Sequence, residues 1–287
     1  MSEPATQRVI LITGCSSGFG ALCAREFARA GDQVVATMRN PSQHTFSTDD
    51  AIETRMLDVT DAGSIQNCVD SVLRDYGRID VLINNAGIHL LGAMEDMAEP
   101  EFRRVFETNF FGAINMARAV LPSMREHGKG RIINVSSIGS LVGRVIDGAY
   151  CASKAALETA LEAMKYEVER FGVQVSVVCP SAFQTQIGEK MVMPTTGSDE
   201  SPYHELLAFR YSKVLESVLE GEDPQEVASL IRQIADDENP KFRYIAGSKA
   251  ALMQQTLTGL SDAERQALIR KLALIDWWVS GDPSPSP

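Results

Sequence analysis

The stretch RVILITGCSSGFGALCAREFAR, residues 8–29, decides the architecture. Its first six residues form a short, β-branched and nearly continuous apolar run, the pattern of a strand buried on both faces of a parallel sheet. A glycine cluster follows at once, with Gly14, Gly18 and Gly20 in TGCSSGFG, and residues 21–29 continue as a helix with Leu22, Phe27 and several alanines on its buried side. Strand, glycine turn and helix N-terminus aim backbone N–H groups and a positive dipole end at one place, where a phosphate is favoured. The spacing is GxxxGxG rather than the GxGxxG of the usual dinucleotide fingerprint, so the glycines alone fit a plain turn as well as a cofactor site.

The same alternation repeats downstream. Runs at 33–38 (QVVATM), 53–59 (ETRMLDV), 79–83 (IDVLI), 131–136 (RIINVS) and 173–178 (VQVSVV) read as strands. Between them helical periodicity covers 61–76, about 25 residues through Phe102, Val105, Phe106, Phe110 and Met124, and 148–171. Strands alternating with helices over 180 residues predict an α/β, doubly wound, mostly parallel sheet with helices on both faces and ligands at the carboxyl ends of its strands. Residues 40–52 read as a polar loop. Residues 181–202 lose periodicity, helices follow over 202–221, 224–237 and 261–273, and 242–245 supplies a last strand, for about seven in all. With no linker in the chain, the expected organisation is one domain over 1–287, with a cofactor-binding and catalytic core at 7–185. A substrate lid and helical extension follow at 186–275, and a flexible tail at 281–287.

Composition narrows the function. A formal charge of −11, from 38 acidic and 27 basic residues, argues against a nucleic-acid surface. Five widely spaced cysteines without a CxxC fit reduced thiols and a cytoplasmic location, and four isolated histidines offer no metal spacing. No apolar run is long enough for a membrane span, and the polar N-terminus has no signal-peptide pattern.

Candidate site residues collect where strands end. The second strand ends in Thr37, Met38 and Arg39 rather than an acid, so nothing repels a 2′-phosphate and a guanidinium is present to bind one; the expected cofactor is NADP(H) in preference to NAD(H). A solvated surface Arg39 is the competing reading. Asp58 ends the third strand, either at the ligand edge or as a cap for the next helix. Asn84-Asn85-Ala86-Gly87 ends the fourth, with small residues that let a ligand approach the backbone. Asn109 is polar amid apolar helix neighbours, so its amide either satisfies backbone groups or belongs to a site. Strand five delivers Ser136 and Ser137. On the following helix Tyr150 and Lys154 stand one turn apart, where an ammonium can favour a phenolate and fit the tyrosine for general acid–base work. Six tyrosines and eight lysines would give one such pair by chance about one time in six, so its weight rests on the other motifs.

TGCSSGFG at 13–20, NNAG at 84–87, Ser137 and Tyr150-Cys-Ala-Ser-Lys154, in this order, resemble the short-chain dehydrogenase/reductase family over about residues 7–185. The resemblance implies a Rossmann-type fold in which Tyr150 is the general acid–base and Lys154 holds the nicotinamide ribose and depresses the phenol's pKa. It implies further that Ser137 hydrogen-bonds the substrate oxygen and that Asn109 anchors a water in a proton relay. Cofactor contacts are implied for Gly14, Ser16, Ser17, Gly18, Phe19 and Gly20 in the first turn, and for Arg39, Asp58 and Val59 after strands two and three. Asn85, Ala86 and Gly87 join them from strand four, and Pro180, Ser181, Phe183 and Thr185 from strand six. One departure is visible: the family has Pro-Gly after strand six, and here it is Pro180-Ser181. VVATMRN, DPQEVASLI and FRYIAG are similar to the 17β-hydroxysteroid and retinol dehydrogenase branch, which implies a bulky apolar substrate under a lid containing Met191, Met193 and Phe183. A reductase of small or polar carbonyls, and a binding protein that senses NADP(H) without catalysis, are the alternatives. The resemblance also implies a homodimer or homotetramer through helices at about 101–126 and 148–171. Trp277 and Trp278 are expected to pack on the core or on a second subunit, with a membrane surface as the competing reading.

Overall fold

The computed structural model describes residues 7–43, 46, 51–186 and 200–285. In chain order the core elements are β1 (Val9–Ile12), α1 (Gly18–Arg29), β2 (Gln33–Met38), β3 (Ile52–Met56), α2 (Ala62–Tyr76) and β4 (Val81–Asn84). Helices α3 (Glu99–Phe106) and α4 (Gly112–Glu126) follow, then β5 (Gly130–Val135), α5 (Gly148–Val168) and β6 (Val173–Pro180). The remainder is α6 (His204–Leu219), α7 (Gln225–Asp236), β7 (Arg243–Ala246), α8 (Ser248–Leu257), α9 (Asp262–Leu272) and α10 (Asp276–Ser280).

Seven strands form one sheet in the order β3-β2-β1-β4-β5-β6-β7, and every neighbouring pair is parallel. Helices pack on both faces of this sheet. The alternation along β1 makes this concrete: Val9 and Leu11 join the core under α2, α4 and α5, while Ile10 and Ile12 join the core under α1 and α7. The chain reverses its direction of winding between β1 and β4, which opens the crevice at the carboxyl ends of those strands.

The helix expected over about 25 residues is interrupted. A π-helical turn, Glu107–Phe111, joins α3 to α4, and Asn109 lies within it. Periodicity survives such a one-residue bulge, which is why the pattern reads as one helix. Helices α8 and α10 were not legible: α8 is largely exposed and carries no clear apolar stripe, and α10 has five residues. Trp277 is buried beside Phe209, with ring centroids 5.6 Å apart, in a cluster with Leu91, Leu206 and Leu207, so it packs on the core. Met191 and Met193 lie outside the described residues. Phe183 is 2% exposed and sits edge-on to Phe19 with centroids 5.6 Å apart, a core contact at the cavity mouth rather than a lid side chain.

Candidate active site

One cavity of about 1090 Å³ runs from the β1–α1 turn to the C-terminal helices, and all the candidate residues line it except Gly20 and Asn109. These two stand just behind its wall. A Cβ on Gly20 would come within 2.5 Å of both the Gly14 carbonyl oxygen and Asn85 Nδ2, and one on Gly14 within 2.7 Å of Ala86 Cα. The glycines therefore let the first turn, α1 and the NNAG loop close on one another. Gly14 also has φ +73 and Gly18 φ +59, the left-handed region that glycine occupies without strain. Asn85 fastens this junction: its Nδ2 donates to the carbonyls of Thr13 and Gly14, both at 3.0 Å, while Thr13 Oγ1 accepts from the backbone N–H groups of Asn85 and Ala86, also at 3.0 Å. Helix α1 begins at Gly18 with no side-chain cap from the extended Ser17, and Ser17, Gly18 and Phe19 at its start line the cavity.

Arg39 and Asp58 line the part of the cavity beside the ends of β2 and β3. Asp58 does not cap α2, whose N-cap is Asp61 accepting from Ser64 N at 2.9 Å. Instead its Oδ1 accepts from the Thr60 N–H at 2.9 Å and the Thr60 hydroxyl at 2.8 Å, and the Thr60 backbone N–H is the main reason its carboxyl titrates below the usual range. Thr37 turns away, donating to the Ile12 carbonyl at 2.9 Å in the core. Beyond β6, Ser181 is tied down by its N–H to the Ala246 carbonyl at 3.0 Å; where the family has glycine, this serine packs against Gly247, whose Cβ would meet Ser181 Oγ at 2.3 Å.

Beside the end of β5, α5 places Tyr150 and Lys154 on its buried face. Lys154 Nζ donates to the Val135 carbonyl at 2.9 Å, and burial pushes its pKa down to about 8 against the opposing pull of Glu158. The two neighbouring serines separate in role. Ser136 donates its hydroxyl to buried Glu158, which also accepts from Arg243 Nε at 2.8 Å, so Ser136 supports the sheet. The Ser137 hydroxyl accepts from the Gly139 N–H at 3.1 Å and reaches the Tyr150 phenol. Asn109 is 1% exposed; its Oδ1 accepts from the Ile88 N–H at 2.8 Å and its Nδ2 donates to the Ile88 carbonyl at 3.0 Å and to Ser153 Oγ at 3.1 Å. It thus ties the NNAG loop to α5, and a Cβ at Gly87 would stand 3.3 Å from its Oδ1 and 3.6 Å from Lys154 Nζ.

The phenol differs from the sequence expectation of a depressed pKa. Burial pushes Tyr150 up to about 12, outweighing Ser137 and the Arg144 guanidinium, which pull it down. Lys154 Nζ stands 5.9 Å from the ring centroid and is turned to Val135, so the cation that acts on the phenol is Arg144. Arg144 pairs with Asp147, whose Oδ1 lies 2.8 Å from His89 Nε2, and the His89 ring sits 4.4 Å from that of Tyr150. Since an ionised carboxylate only accepts, His89 Nε2 carries the proton here. Burial works to raise the Asp147 pKa, but Arg144 and His89 outweigh it and hold the carboxyl below its usual range. Ile146, buried with φ +64, is a β-branched residue in the left-handed region, a strain of about 1–3 kcal/mol that fixes this loop. This cluster escaped the sequence reading. Its one signal was two charged residues, Arg144 and Asp147, in the otherwise apolar and glycine-rich loop between Ser137 and Tyr150.

The family model described as short chain dehydrogenase matches residues 8–194. The chain belongs to the short-chain dehydrogenase family. Within this family of oxidoreductases, it is 38% identical over 242 residues to a 3-ketodihydrosphingosine reductase from Bacteroides thetaiotaomicron, covering 84% of this chain and 88% of that one. It is 34% identical over 253 residues to retinol dehydrogenase 8 from Bos taurus, covering 82% and 80%. A short-chain dehydrogenase structure from Streptomyces avermitilis superposes with a TM-score of 0.80 at 33% identity, over 97% of this chain and 99% of that one. Solved members of the fold include complexes with NADP and with NAD. Among the described residues no helix is long and apolar enough to cross a membrane.

Proposed function

We propose that this short-chain dehydrogenase is an NADP(H)-dependent oxidoreductase that interconverts a secondary alcohol and a ketone or aldehyde, with Tyr150 as the general acid–base and a largely hydrophobic substrate. The observation that carries the reading is the convergence of Ser137, Tyr150 and Lys154 on the same cavity as the α1 N-terminus and its glycine turn. A nicotinamide dinucleotide fits these residues: the uncapped N–H groups of α1 would take the pyrophosphate, Arg39 a 2′-phosphate, and the remaining Lys154 donors the nicotinamide ribose. When bound, that cofactor supplies or accepts the hydride.

The chain's own part is proton handling and electrostatics. With a pKa near 12, Tyr150 carries its proton at neutral pH and gives it to the carbonyl oxygen during reduction. Ser137 and the phenol are two preorganised donors for the developing alkoxide. Asn109 and Gly87 fix the floor beside Lys154. Helices α6, α8 and α9 supply the substrate wall through Val214, Met253, Leu257, Ile269 and Leu272, which favours an apolar ligand body. All five cysteines are buried and free, in keeping with a cytoplasmic protein. Exposed Phe111, in the π-helical turn that leads into α4, and Tyr166 on α5 support association through that face into a homodimer or homotetramer.

The test is kcat/KM for NADPH and NADH over a panel of apolar and polar ketones, repeated with Arg39→Ala. Preference for NADPH that Arg39→Ala erodes is expected; preference for NADH, or turnover of polar ketones only, would refute the corresponding part.

A further inference from the structure

The chain carries a net charge of −11, yet the cavity wall presents Arg39, Arg104, Arg144, Lys154, Arg210 and Lys213 against one carboxylate, Asp58. Dinucleotide phosphates and ribose would account for Arg39 and Lys154. Lys213 is paired with Glu216 at 2.9 Å and Arg144 with Asp147, while Arg104 is exposed to solvent. Arg210, projecting from α6 into the substrate end, is not accounted for. Its Nη1 donates to the Ala273 carbonyl at 3.0 Å, its Nε is buried with no partner, and no carboxylate among the described residues forms an ion pair with it. Arg144 Nε is buried without a partner as well. Asp147 contacts Arg144 and His89 and also attracts Arg210 without touching it, so one carboxylate faces two guanidiniums.

A buried cation without a counter-charge is costly, and a guanidinium with free donors is the side chain best shaped to take a carboxylate. Burial, and after it repulsion from Arg144, push the Arg210 pKa down, and the attraction of Asp147 does not make up for them. The surrounding wall, with Val142, Val214, Ile269, Leu272 and Leu274, is apolar.

We propose that Arg210 is a specificity-determining residue that binds a carboxylate borne by an otherwise apolar carbonyl substrate, so that the enzyme's substrates are amphipathic acids. The inference rests on reading this cavity as the substrate site of an oxidoreductase. It accounts for both halves of the wall at once: the aliphatic residues take the body of the ligand, and Arg210 takes its charged end.

The binding test needs no turnover. Calorimetry with decanoate and with decanamide compares the same chain with and without the charge. Wild type is expected to bind decanoate at least about tenfold more tightly, the strength of a charge-assisted hydrogen bond. Arg210→Met should bring that ratio close to one, and Arg210→Lys should retain part of it, which also covers the case in which Arg210→Met does not fold. Equal or tighter binding of decanamide by wild type, or an undiminished ratio in Arg210→Met, overturns the inference. A parallel assay compares NADPH oxidation by para-acetylbenzoate and by its methyl ester. Preference for the ester would overturn this inference and leave the oxidoreductase reading standing. Arg210-dependent decanoate binding without turnover of any ketone would uphold Arg210 as a carboxylate-binding residue and count against the oxidoreductase reading on which its role in substrate choice rests.

Discussion

Replacing Asp147 by Asn and Arg144 by Met, the two partners of one ion pair beside the phenol, should move the Tyr150 pKa in opposite directions. Asp147 is 3% exposed, pairs with Arg144 and lies 2.8 Å from His89 Nε2. Removing one partner of a buried pair costs about 3–5 kcal/mol, because the other charge stays behind. Asn keeps an acceptor for His89, so the lower end, about 3 kcal/mol, is expected for Asp147→Asn, a large part of a typical stability of about 5–15 kcal/mol. The negative charge raises the phenol's pKa and the guanidinium lowers it. Asp147→Asn should therefore bring the phenol below about 12, and Arg144→Met should raise it further. Urea unfolding gives the stability change, and the ultraviolet absorbance of the phenolate, subtracted from that of matching Tyr150→Phe variants, gives the titration. Because the folded Asp147 carboxyl titrates below its unfolded value of about 4, the stability it contributes is complete above that pH and is lost as pH falls through the folded value. The gap between wild type and Asp147→Asn should accordingly shrink in acid. Phenol shifts of the same sign in both variants, or a stability loss below about 0.5 kcal/mol in Asp147→Asn, would refute the electrostatic account.

Gly20→Ala places a Cβ 2.5 Å from the Gly14 carbonyl oxygen and Asn85 Nδ2, so it should cost about 1–3 kcal/mol and weaken NADPH binding, measured by calorimetric melting and fluorescence titration. Lys154 binds its proton less well folded, at about 8, than unfolded, at about 10.4, so its own contribution to stability should rise with pH between those values as the unfolded chain holds the extra proton. The buried thiols, whose pKa values burial raises, work the other way in both proteins, so the urea midpoint of wild type should rise across that window relative to that of Lys154→Met. Trp277→Ala empties a buried site beside Phe209 and should lose about 3–5 kcal/mol by the same unfolding assay.

The fold was legible because parallel strands buried on both faces leave unbroken apolar runs: Val9–Ile12 and Gln33–Met38 are marked by composition alone. The candidate triplet of Ser137, Tyr150 and Lys154 was legible because its residues are fixed by local spacing on one strand end and one helix. The Arg144–Asp147–His89 cluster was not, since its members meet only through the strained turn at Ile146, and strain has no signature in a β-branched residue's name. Nor was Arg210: along LLAFRYSKV a charged residue reads as the solvent face of a helix, and only the packing of α9 behind it turns that face into a cavity wall. The direction of the phenol's shift was missed for a related reason. Spacing shows that a lysine is near, but not that its ammonium is turned to Val135 or that burial exceeds its pull.

Tyr150→Phe tests the proton transfer most directly. The substitution keeps the ring that packs on His89 and removes only the hydroxyl. Single-turnover reduction of an apolar ketone, with NADPH affinity measured alongside by fluorescence titration, should show near-normal cofactor binding and loss of turnover. Turnover retained close to the wild-type rate would contradict the role of Tyr150 as the general acid.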